Sequence, residues 1–164
     1  MEFRTDYRTE RYALKTKWED FPVAVQEHAV MCGVDLMTAL ILGSYGEQFK
    51  TGQKLAQSMG MQGDIPTVGS DKKYNLLGAA IAMGHSSNSF DIDDGHRAIC
   101  GHPGTSFVAG VLAAALEKNV TWREYLTTLT VCYELSIRWA LAMQDHYKFL
   151  HSTGAYGALS LIHI

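Results

Sequence analysis

The chain lacks the usual devices that staple, thread or charge a protein. Its 164 residues hold three cysteines, Cys32, Cys100 and Cys132, and no C-x-x-C pair. An odd number at wide spacing argues against a disulfide framework and against a structural zinc site. It fits a reducing cytoplasm, the expected location. An excess of one charge is also missing. Fourteen Lys and Arg against seventeen Asp and Glu give a net charge of -3. That leaves no basic footprint for nucleic acid and too little net charge for a disordered chain. Long apolar runs are absent as well. Asp35 interrupts residues 29–43, and residues 107–116 are too few to span a bilayer, so both read as buried core helices and no membrane association is expected. The charged start, Met1-Glu2-Phe3-Arg4-Thr5-Asp6, has no apolar h-region and does not read as a signal peptide. There is no G-x-G-x-x-G, no P-loop and no G-x-S-x-G.

What is present is helical periodicity, and the fold class expected is all-α. Residues 1–20 are polar and read as an arm or short lead-in. Val23, Val25, His28, Ala29, Cys32, Leu36, Ala39 and Leu40 recur at helical spacing, which predicts a helix over 23–42. Pro22 suits its first turn. Glycines and Pro66 make 49–72 a connection, with one short helix at 54–59. Asp71 or Lys72 then precedes an Ala-rich helix over 74–83. Further helices are expected over 105–118 and from Thr121 to about residue 145. Thr121 and Glu124, three apart, form a capping box for the last of these. No strand is compelling.

Three turns carry the chemistry. Asp91-x-Asp93-Asp94-Gly95-His96 crowds three carboxylates into four residues. Their repulsion must be offset by a cation, helix N-termini, basic side chains or a raised pKa. The plainer alternative is a solvated acidic turn that caps a helix. Gly101-His102-Pro103-Gly104 pins a histidine in front of an Ala-rich helix, where it could meet an anion at the N-terminus. The plainer reading is a structural histidine. His151-Ser152-Thr153-Gly154 repeats that logic. His151 can serve as a general base, while Ser152 or Thr153 as an N-cap would by itself account for the turn. A calcium loop beginning at Asp91 is rejected, because its sixth and twelfth positions are His96 and His102. A transition-metal site made by Asp91, Asp93, His96 and His102 is a weak alternative, without a paired-histidine helix motif. Cys100 near two histidines is best read as a packed cysteine rather than a nucleophile.

Taken in order, these segments resemble the MmgE/PrpD family, which includes 2-methylcitrate dehydratase and cis-aconitate decarboxylase. The resemblance is carried by Gly84-His85-Ser86, Asp91-Ile92-Asp93-Asp94-Gly95-His96-Arg97, Gly101-His102-Pro103-Gly104, Tyr133-Glu134-Leu135-Ser136-Ile137-Arg138, and His151-Ser152-Thr153-Gly154 with Gly157. It covers about residues 23–160 and implies the N-terminal part of a large helical domain. That domain belongs to an enzyme with a separate lid domain, acting as a homodimer. It implies chemistry on small polycarboxylates by dehydration, decarboxylation or epimerisation, with no metal and no organic cofactor. Asp91, His102 and His151 stand at the positions of the family's active-site carboxylate and histidines. Asp93, Asp94, His96 and Thr153 are the associated substrate-binding candidates. Gly95 stands where the decarboxylase branch tends to have threonine, which makes decarboxylation of cis-aconitate less expected. The family's catalytic lysines match neither Lys118 nor Lys148, so the 164 residues alone are expected to be inactive and to self-associate through exposed apolar faces. The domain is expected over 21–160. Residues 161–164, Leu161-Ile162-His163-Ile164, depart from the family's Ala-rich continuation and read as a non-native tail. Two readings from other classes remain at this point: a metal-dependent helical hydrolase and a non-catalytic helical scaffold.

Overall fold

The computed structural model describes residues 8–144. Over that span the protein is helical apart from one small hairpin, as the periodicity predicts. Helices α1 (Arg8–Lys15), α2 (Val23–Gly43) and α3 (Glu47–Ser58) precede strands β1 (Gln62–Thr67) and β2 (Ser70–Tyr74). Helices α4 (Leu76–Ser87), α5 (Pro103–Lys118) and α6 (Trp122–Gln144) follow.

The antiparallel pair α4 and α5 forms the centre. Residues at the start of α4 and the end of α5 line one groove together. At the other end the Ser87 and Thr105 hydroxyls meet at 2.7 Å. Ala79 and Ala82 are fully buried in α4, as are Phe107 and Val108 in α5. Leu36 and Leu40 from α2 and Leu126 and Leu129 from α6 close over the pair in one cluster. Burying each such leucine is worth about 1.5–3 kcal/mol. Helix α3 packs along α4.

Four expectations are corrected or refined. First, the 49–72 stretch is not mainly a connection. Helix α3 begins two turns earlier than expected, and Gly52 lies inside it rather than breaking it, because a Cβ there would meet the His85 ring at 2.9 Å. The glycine marks a close helix crossing. Second, a hairpin exists where no strand was compelling. Thr67 pairs with Ser70 around a two-residue turn in which Gly69 has φ of +79°, the left-handed region glycine enters without strain. Ile65, Thr67 and Tyr74 are buried and anchor the hairpin, while most of its other residues face solvent. Third, α4 spans Leu76–Ser87 rather than 74–83, and its cap is Asn75, whose side chain accepts from the Gly78 N–H at 2.9 Å. Fourth, α2 is a core helix on one face only. Ala29, Gly33, Leu36 and Leu40 turn inward, whereas Val30, Met31, Val34, Ile41 and Leu42 are exposed. By length and composition alone α2 could cross a membrane, but its inner face is committed to this core.

The polar stretch read as an arm carries α1 and a short 3-10 turn at Trp18–Asp20. Both contact α6, with Tyr12 and Trp18 packed around Phe21, Val131 and Leu135. Helix α5 starts at Pro103, the favoured first-turn position, and ends at Asn119 with φ of +51°. The capping box of α6 forms as expected: the Thr121 N–H donates to Glu124 Oε2 at 2.7 Å, and the Glu124 N–H to Thr121 Oγ1 at 3.3 Å.

Candidate active site

The chain leaves α4 at Ser87 and enters α5 at Pro103, so the acidic turn and His102 occupy the junction between two central helices. Asp91 adopts φ of +54° at its tip, a region that Asp tolerates better than most residues. The backbone then folds back: the His96 N–H donates to the Gly101 carbonyl at 2.8 Å. This return brings His102 onto the aspartates. His102 Nδ1 lies 3.2 Å from Asp93 Oδ2 and 3.3 Å from the Asp93 carbonyl, and Nε2 lies 3.6 Å from Asp91 Oδ1. The Asp93 side chain is 0% exposed, that of His102 33% and that of Asp91 82%. Of the two carboxylates facing the ring, one is therefore structural in its burial and the other is presented to solvent. Asn88, just past α4, donates from Nδ2 to both Asp93 oxygens at 2.8 and 3.1 Å.

Asp94 points the other way. Its Oδ2 accepts from the Gly104 N–H at 3.3 Å, capping α5 from ten residues upstream. Proline at 103 brings no N–H, so the first available donor of this helix is turned toward Asp94. Asp94 Oδ1 and the Tyr133 hydroxyl are both buried beside Gly104. A Cβ on that glycine would collide with Oδ1, stand 2.5 Å from the hydroxyl and 2.7 Å from Leu36 Cδ2. Oδ1 and the hydroxyl face one another without a hydrogen bond of good geometry. Burial raises the Asp94 carboxyl above its ordinary value, partly offset by Tyr133 and the Gly104 N–H. Burial first, and then the Asp94 charge, raise the Tyr133 phenol.

Of the site residues singled out in the sequence, Asp91, Asp93 and His102 come together. One donor atom from each lies within 4.8 Å of the others. His96 is not in that group, and its Nδ1 is buried without a hydrogen-bond partner among the described residues. This removes the fourth ligand of the transition-metal alternative. The two oxygens of Asp93 are already engaged by Asn88 and His102. His151 and Thr153 lie outside the described residues. Asn88 and Tyr133 are the residues whose parts were not foreseen. Tyr133 opened one of the quoted motifs, but nothing in its own stretch of sequence announced Asp94 as its neighbour. A groove of about 750 Å³, lined by Leu76, Leu77, Ala80, Gly110 and Ala114, lies at the far end of the α4–α5 pair and holds none of these residues.

A mainly helical domain with an aspartate–histidine cluster on the connection between its two central helices is the class defined so far. The sequence pattern of the MmgE/PrpD N-terminal domain matches residues 8–162, nearly the whole chain. The chain belongs to the MmgE/PrpD family, which includes dehydratases and related enzymes. No curated protein and no solved structure matches it.

Proposed function

We propose that this domain forms part of a lyase or isomerase that removes a proton α to a carboxylate in a small polycarboxylate. The observation that carries this reading is the contact between His102 and Asp91, eleven residues apart in sequence, on a turn braced by the buried Asp93. An imidazole near neutral pH suits a carbon acid activated by an adjacent carboxylate. The ring takes the α proton as the C–H bond breaks. The electron pair then expels hydroxide from the neighbouring carbon in dehydration; in epimerisation the carbon is reprotonated on its other face. Decarboxylation, in which the pair comes from the departing carboxylate, is the less favoured branch given Gly95. His151 is the second candidate for proton transfer. Asp91 is placed to stabilise the imidazolium once it forms.

The turn itself is rich in carboxylates, so cations that neutralise a polyacid must reach it from elsewhere. This fits the family resemblance, which puts the catalytic lysines in a later part of the enzyme. Working as a cytoplasmic homodimer, without metal or organic cofactor, belongs to the same reading. The exposed apolar residues of α2 support self-association.

Titration with 2-methylcitrate and with cis-aconitate, followed through the His102 ring resonances, tests the proposal. Saturable perturbation of the ring that Asp91→Ala weakens is expected, with no turnover by the 164-residue chain alone. Silence of His102 toward both acids at millimolar concentration overturns the substrate class and favours a non-catalytic scaffold. Stoichiometric uptake of zinc or manganese, read by elemental analysis, favours the metal-dependent hydrolase.

A further inference from the structure

We infer that Asn88 and Asp93 are positioning residues that hold His102 in one tautomer, with its proton on Nδ1 and its lone pair on Nε2. Two acceptors face Nδ1, the Asp93 carboxylate at 3.2 Å and the Asp93 carbonyl at 3.3 Å. A ring nitrogen between two acceptor oxygens is stable only as a donor, and the hydrogen bond made by one nitrogen sets the state of the other. The carboxylate cannot rotate away, because Asn88 Nδ2 donates to both of its oxygens and its side chain is fully buried. Asn88 is fixed in turn as the residue that ends α4. The ordering therefore runs from a helix end through an amide and a carboxylate to the imidazole. It leaves Nε2 on the side of the solvent-exposed Asp91. Hydrogen-bonded partners that lock the orientation of a reactive group are what a precise site needs.

The significance of the ordering rests on the proton-transfer role given to His102 above, but the ordering itself can be measured without substrate. The readout is the tautomer of His102 in the 15N-histidine-labelled chain at about pH 8, above the ordinary imidazole range. The wild-type ring is expected to carry its proton on Nδ1. Asn88→Ala should lower the Nδ1–H share by ~2-fold or more, and Asn88→Gln should restore part of it. Asp93→Asn, which can turn an amide N–H toward Nδ1, should move the proton to Nε2. Ser87→Ala is the structural comparison. It breaks the neighbouring hydroxyl contact to Thr105 at the same junction and should leave the tautomer as it was. An unchanged tautomer in Asn88→Ala overturns the inference, as does an equal change in Ser87→Ala. Because Asn88 is exposed at the helix end, its variants keep the test valid if Asp93→Asn does not fold. If the tautomer is fixed but neither polyacid perturbs His102, the substrate class fails and the positioning stands. If polyacids bind to a ring of mixed tautomer, the positioning fails alone.

Discussion

Helices α5 and α6 begin in opposite ways. Helix α6 is capped by its own first residues, with Thr121 and Glu124 exchanging hydrogen bonds at the surface. Helix α5 is capped by Asp94, ten residues upstream and largely buried against Tyr133. A local cap satisfies backbone groups at little cost in desolvation. A remote cap takes a carboxylate out of water, yet it ties the acidic turn to the helix that carries His102. The contrast separates a device that stabilises a helix from one that also holds the acidic turn against it.

The largest effect that should break this contrast is at Gly104. Gly104→Ala pushes a methyl group into Asp94, Tyr133 and Leu36. It should cost about 3 kcal/mol, near the top of the overpacking range, measured by denaturant unfolding. An alanine at the surface of α6 should not approach that value. Next comes Asp94→Ala, which leaves the Gly104 N–H without its acceptor and should cost about 2 kcal/mol. Thr121→Ala should cost about 1 kcal/mol, the usual loss for an N-cap. If Thr121→Ala proves the more damaging of these two, the distinction between the caps is wrong.

The finest discrimination is in pH, where the two caps have opposite signs. The Asp94 carboxyl is raised by burial, so the folded state holds its proton more tightly than the unfolded one. Its contribution is present in full below the ordinary carboxylate value of about 3.9 and is lost as pH rises through the higher folded value. The Glu124 carboxyl is lowered by its bonds to the Thr121 N–H and hydroxyl. Its contribution is present above its ordinary value of about 4.3 and is lost as pH falls through the lower folded value. Melting temperatures across mildly acidic to neutral pH should therefore decline less with rising pH in Asp94→Asn than in the wild type. Glu124→Gln should reduce the loss on acidification instead. Identical pH profiles for the two variants would remove the asymmetry.

The same contrast explains what could be read from the sequence. Thr121 and Glu124 are three residues apart, so the α6 start is written in one short window. The start of α5 needed Asp94 to cross a turn, which no local pattern encodes. Helical periodicity located α2, α4, α5 and α6, but glycine misled the reading at position 52, where it marks close packing against His85. The hairpin escaped notice because its alternation rests on Ile65, Thr67 and Tyr74 amid polar residues. The pairing of Asp91 with His102 was expected from resemblance to a family. Spacing alone left both residues open to plainer readings, and Asn88, which lies outside the three turns, gave no sign of its bond to Asp93.

Gly95 sits on the acidic turn, and among the described residues no atom lies within 4 Å of where a side chain would begin. The loop is tied to α5 by Ser87 to Thr105 and by Asp94 to Gly104, while Gly95, next to the second tie, has room to spare among the described residues. A hydroxyl or a methyl could be added at Gly95 without displacing a described neighbour. Position 95 can thus accept a larger residue while the helical frame that holds His102 stays as it is.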